Sequence, residues 1–161
     1  MSNSLTASVL SALRRYPGHT VFITVGNSLR CDDGVGPYIA SQLDSSQDLT
    51  VIDAGQNPEN VIDAIVELHP RRILIIDAAD FGVEPGCAQL VESIHIPESS
   101  VSTHAISLKV IARLIEEDTE CKVEFLGIQP KSVTFKEELS QEVKQTADEI
   151  IKTIRKEFSY A

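Results

Sequence analysis

Two aspartates and a histidine, Asp33, Asp77 and His104, stand where side chains more often do chemistry than packing. Asp33 follows Asp32 in the run Gly26-Asn-Ser-Leu-Arg-Cys-Asp-Asp-Gly-Val-Gly36, between an apolar stretch and an amphipathic one. One acid can cap a helix N-terminus, where the first N–H groups lack partners; two adjacent acids exceed that need. Asp77 directly ends the apolar run Arg72-Ile-Leu-Ile-Ile76. A carboxylate there is desolvated on its strand side and needs donors, a counter-charge or a metal. His104 lies in Ser102-Thr-His, expected to open a helix with Ser102 or Thr103 as its cap. Singly, each has a structural reading: a cap, an acid tied to loop N–H groups, a histidine held in a turn. Together, two carboxylates and one imidazole suit a borderline divalent metal such as nickel, zinc, manganese or iron, with positions left for water or substrate. Calcium and magnesium, which prefer oxygen ligands alone, suit that set less well.

Such a constellation forms only if three distant segments meet, so the elements must be read next. Leu5, Val9, Ala12 and Tyr16 recur at helical spacing, and Pro17-Gly18 ends that helix. Thr20 to Val25 is a β-branched and aromatic run, read as a buried strand. Val35, Ile39 and Leu43 mark a second helix, and Leu49 to Ile52 a second strand. Asn57-Pro58 gives an N-cap and a first-turn proline for a helix bearing Val61, Ile65 and Leu68. Arg72 to Ile76 is apolar on both faces, as in a parallel sheet, and a weaker strand is expected near Ala88 to Val91. Leu108, Ile111 and Ile115 continue the helix opened at His104; Val123 to Ile128 is the last strand. Leu139, Val143, Ile150 and Ile154 face the core from a long final helix.

Strands alternating with helices imply an α/β fold. We expect a three-layer α-β-α sandwich with a mostly parallel central sheet and helices on both faces. Ligands of such folds bind beyond the carboxyl ends of the strands. The segments after successive strands hold Asn27 with Asp32-Asp33, then Asp53 and Gln56, then Asp77 and Asp80, then Gln129. Carboxylates and amides thus gather at one sheet edge. No repeat, low-complexity tract or linker divides the 161 residues, so residues 1–161 are expected to form one domain.

Composition narrows the partners. With 14 basic against 24 acidic residues the net charge is −10, which disfavours nucleic acid and anionic lipid. No stretch approaches the roughly 18 apolar residues of a membrane span, and no signal-peptide layout precedes Arg15. A cytoplasmic protein without membrane insertion is expected, and a monomer, since no heptad or sheet-edge signal demands a dimer. Cys31, Cys87 and Cys121 are odd in number and form no C-x-x-C pair, against a disulfide framework or zinc ribbon. Cys87 and Cys121 read as small core residues and Cys31 as a partly buried spacer in the glycine-rich loop. The glycines of that loop do not have dinucleotide-fingerprint spacing. His19, His69 and His95 lack settings comparable to that of His104.

The run from Gly26 to Pro37 resembles the first signature of the nickel–iron hydrogenase maturation endopeptidases. Asp53-Ala-Gly55 with Pro58-Glu-Asn60, Ile76-Asp-Ala-Ala-Asp-Phe-Gly82, Ser102-Thr-His104 and Gly127-Ile-Gln-Pro130 resemble later signatures, in the same order. The resemblance runs from about Val21 into the last helix and is nearest the branch serving group 4, formate-hydrogenlyase-like enzymes. It implies an endopeptidase that engages the nickel-loaded precursor of a hydrogenase large subunit and removes a short C-terminal extension. It places metal contacts on Asp33, Asp77 and His104, with nickel belonging to the substrate, and the glycine loop on Gly26 and Asn27. Many members have Glu where this chain has Asp33, a difference of one methylene at equal charge. Asp33 or Asp77 is the candidate general base for water. Asp32, Asp80 and Gln129 are expected to orient ligands or line the substrate loop.

Two other readings use the same residues. A phospho-receiver domain would take Asp77 as acceptor, the acid pair for Mg2+, and Lys131 after the last strand. It places its acids closer to the strand and leaves His104 idle. A nickel-binding maturation chaperone would differ only in lacking hydrolysis.

Overall fold

The computed structural model describes residues 5–98 and 106–158. A helix α1 (Ala7–Leu13) precedes β1 (Thr20–Val25), and a single turn of 3-10 helix over Cys31–Gly34 runs into α2 (Val35–Ser41). Then follow β2 (Leu49–Gly55), α3 (Ile62–Glu67), β3 (Arg72–Ala78), β4 (Ala88–Glu92), α4 (Leu108–Thr119), β5 (Val123–Ile128) and α5 (Gln141–Phe158). The strands lie in the order β2-β1-β3-β5-β4. All pairs are parallel except β4 on β5, which is an antiparallel edge.

Strand alternation divides the apolar residues between two cores. Phe22, Leu74, Ile76, Leu126 and Ile128 pack with α1, α2 and α5. Val21, Ile23, Ile73, Ile75, Val123 and Phe125 pack with α3 and α4 on the opposite face. Both faces of β1 and β3 are therefore buried, which explains their unbroken apolar runs. Phe158 closes the first core edge-on against Phe22, with ring centroids 5.9 Å apart. The expected sandwich is the observed one.

Several boundaries differ from expectation. Helix α1 stops at Leu13, and Tyr16 lies beyond it and exposed. The helix is held instead by Thr6, whose side chain accepts from Val9 N–H. Asn57 makes no side-chain cap; Pro58–Val61 forms a 3-10 turn before α3. The fourth helix begins at Leu108, where the Ser107 hydroxyl accepts from Val110 N–H at 3.2 Å. Helix α4 therefore starts four residues beyond His104; Ser102, Thr103 and His104 themselves lie outside the described residues. Strand β2 runs on to Gly55, so Asp53 is inside the strand, and Asp77 is the penultimate residue of β3. The cysteines reverse their expected order: Cys31 is buried, while Cys87 and Cys121 are half-buried. No helix among the described residues is long and apolar enough to cross a membrane.

Candidate active site

The carboxyl ends of β1 and β3 lie side by side, with Thr24 opposite Ile76. Helix α2 is seated directly on them. A Cβ added at Gly36 would meet Val25 O at 2.4 Å and Ile76 O at 3.1 Å, so only glycine allows this approach. The same holds at Gly26, directly after β1. Gly26 has φ +145°, and a Cβ there would stand 2.0 Å from Asp33 O. Glycines thus let the loop after β1 fold back tightly enough to bring Asp33 over the strand ends.

Asp33 is fully buried, and its Oδ2 accepts from Asn27 N–H at 3.1 Å. The same N–H also reaches Asp33 O at 3.1 Å. Asp77 is 1% exposed and its Oδ1 accepts from Ala78 N–H at 2.8 Å. Strand alternation puts Asp77 on the face of Ile73 and Ile75, the face covered by α3 and α4. Burial, and then the charge of Asp33, hold the Asp77 carboxyl well above the usual carboxylate range; the Ala78 N–H offsets this in smaller part. Repulsion between two buried carboxylates is relieved by a shared proton or by a cation between them.

The neighbouring candidates have other partners. Asp32 is fully buried and accepts from Lys131 N–H at 2.8 Å, Ser132 N–H at 3.1 Å, Ser140 N–H at 2.7 Å and Ser140 Oγ at 2.8 Å. It staples the 129–140 segment to the 3-10 turn. Asp32 N–H donates back to Ser132 O at 3.1 Å, and Cys31 N–H to Lys136 O at 2.7 Å. Gln129 ties the start of that segment to the loop after β3. Its Oε1 accepts from Phe81 N–H at 2.7 Å and its Nε2 donates to Asp80 Oδ1 at 3.1 Å. The Gln129 amide, then the Gly82 N–H, hold Asp80 below its ordinary carboxylate value.

The residues from Gln129 to Ser140 therefore form a strap touching both carboxylate-bearing loops. Asn27 turns its own loop by accepting from Leu29 N–H at 3.0 Å and reaches Gln56 Oε1 at 3.4 Å. Lys131 is paired with Glu142 at 2.8 Å, on the outside of the strap. The sequence did not single out Ser132, Ser140 or Gly36 for this site. The serines lie in a strap without periodicity, and Gly36 merely continues an acidic, glycine-rich run. Among the described residues no group of three His, Cys, Asp or Glu side chains is placed to hold a metal. Of the three candidate ligands, Asp33 and Asp77 are brought to the same strand ends, and His104 is outside the described residues.

The sequence and the overall fold are similar to those of known proteins. A family model described as hydrogenase maturation protease matches residues 35–157, beginning just past Asp33 and including Asp77. The hydrogenase 3 maturation protease of Escherichia coli K12 is 38% identical over 133 residues, 81% of this chain and 85% of its own length. The solution structure of an endopeptidase HycI from Escherichia coli superposes with a TM-score of 0.74 at 35% identity, covering 89% of this chain and 92% of that one. The crystal structure of a [NiFe] hydrogenase maturation protease HycI from Thermococcus kodakarensis KOD1 gives a TM-score of 0.77 at 26% identity, covering 92% and 99%. With sequence and fold agreeing over most of its length, the chain belongs to the hydrogenase maturation proteases and is a peptidase.

Proposed function

We propose that this peptidase removes a C-terminal extension from the nickel-loaded precursor of a hydrogenase large subunit, reading the bound nickel through Asp33, Asp77 and His104. The observation that carries this reading is the buried Asp33–Asp77 pair at the ends of β1 and β3. Without a cation the two charges oppose each other, so a precursor that brings a divalent ion relieves the repulsion and one that lacks it does not. The nickel is the substrate's own cargo, and an empty precursor is thereby discriminated against. His104 completes the ligand set with a neutral nitrogen, the chemistry that favours nickel over magnesium or calcium. In the cleavage step water attacks the scissile carbonyl carbon, and its proton passes to one carboxylate of the pair. That proton then goes to the departing amide nitrogen as the C–N bond breaks.

The test mixes the purified chain with a C-terminally extended large subunit, with and without inserted nickel. Release of the extension from the loaded precursor alone is the expected result. Intact loaded precursor, or equal cleavage of the empty one, overturns the proposal. His104→Ala is expected to weaken nickel-dependent cleavage, and full activity in that variant would remove the histidine from the site.

A further inference from the structure

The loop that carries Asp33 also presents apolar surface. Leu29 is 51% exposed and Phe135 83% exposed, the latter the most exposed large apolar side chain among the described residues. Scattered single exposed hydrophobics need no explanation. These two are neighbours on braced backbone. Lys136 N–H donates to Leu29 O at 3.0 Å, and the adjoining Cys31 N–H returns to Lys136 O at 2.7 Å. The Arg30 guanidinium lies 5.5 Å from the Phe135 ring centroid, and its Nε donates to Val133 O at 3.2 Å. The Ser132 and Thr134 hydroxyls, 3.1 Å apart, close the tip of the strap.

An aromatic anchor on pre-ordered backbone, beside an arginine, has the composition of a protein-binding hot spot, because little freedom remains to be lost on docking. Its position says what covers it. Leu29 belongs to the loop that wraps Asp33, and Phe135 to the strap that Asp32 staples beside Asp33. A protein whose peptide bond is to reach the carboxylate pair is brought against these two side chains. The geometry points to Leu29 and Phe135, braced by Arg30, as a docking rim for the folded body of the hydrogenase large-subunit precursor. The partner surface that fits is an apolar recess bordered by carbonyl or carboxylate acceptors for Arg30. This assignment rests on the substrate proposed above.

The test measures steady-state cleavage of a nickel-loaded precursor that the wild-type chain processes, so a negative answer bears on the rim and not on the protease reading. In Leu29→Ser/Phe135→Ser, KM is expected to rise about ten-fold while kcat stays within about two-fold. Thermal unfolding should move little, since Phe135 is mostly solvated and Leu29 is half-exposed. Unchanged KM in the folded double variant overturns the rim, as does a fall in kcat at constant KM, which would tie these residues to the chemical step. Should the double variant melt lower, Phe135→Leu carries the test alone, with a KM rise of about three-fold expected and none overturning it. Light scattering decides a second occupant. A wild-type dimer lost in the variant, with KM unchanged, would assign the surface to another copy of this chain and overturn the proposal.

Discussion

Asp32 and Asp33 are adjacent and chemically identical, and removing Asp32 separates a staple from a reacting group. Its carboxylate receives four donors from Lys131, Ser132 and Ser140. Hydrogen bonds to a charged acceptor contribute about 1.5–3 kcal/mol each. They do not add, because parts of the strap can turn to water once released. We expect Asp32→Ala to cost about 3–5 kcal/mol, the range of a broken buried network. For a domain of this size, that lowers the melting temperature by roughly 6–20 °C. Asp32→Asn keeps an acceptor for the three donors at Oδ2 but sets its own NH2 against Ser140 N–H. It should cost about 2 kcal/mol, or roughly 4–8 °C. The assay is thermal unfolding of the metal-free chain beside precursor cleavage, in which both variants should lose activity in proportion to the loosened strap. An Asp32→Ala protein that melts with the wild type yet fails to cleave would refute the reasoning and make Asp32 a substrate-contacting group.

Three further outcomes are expected. Gly26→Ala sets a Cβ 2.0 Å from Asp33 O at a φ of +145°. It should cost more than about 2 kcal/mol in chemical denaturation and abolish processing; a stable, active alanine variant would show that the loop tolerates another path. For Asp77 the folded-state carboxyl titrates above its unfolded value, so its stabilising share is whole below about pH 4 and is lost as pH rises through the raised value. Metal-free wild type should therefore melt lower toward neutral pH, whereas Asp77→Asn should flatten that slope, melt higher at neutral pH and lose cleavage; equal slopes count against the buried repulsion. Gln129→Ala should let Asp80 titrate nearer its ordinary value, followed by carboxyl NMR, and unfold about 1–3 kcal/mol more easily.

What the sequence disclosed divides along physical lines. Arg72 to Ile76 and Thr20 to Val25 announce buried parallel strands because their apolar residues are continuous. The alternation of strands and helices then places Asp33 and Asp77 at one edge. Helix ends were less legible. Asn57-Pro58 suits a capped helix, yet the chain makes a 3-10 turn first, and Ser107, one of several hydroxyl residues before Leu108, proves to be the cap. The division of labour between Asp32 and Asp33 could not be read. It depends on the 3-10 turn that sends one carboxylate toward the strap and the other toward the strands. The strap itself has neither helical nor strand periodicity, so its serines gave no signal. A sequence of local patterns discloses local structure, and this site is built from contacts between segments far apart in the chain.

That separation bears on when the enzyme becomes competent. The Asp32 hydrogen bonds join residues 99, 100 and 108 positions apart, and Gln129 closes on residues 46 to 49 positions earlier. Contacts across such long loops pay their closure entropy first and form late in folding. Asp33 and Asp77 therefore gain their frame only when the strap closes together with β5 and with α5, which completes the first core. A chain in which that closure is incomplete holds the carboxylates without the frame that aims them, so proteolytic competence is coupled to completed folding.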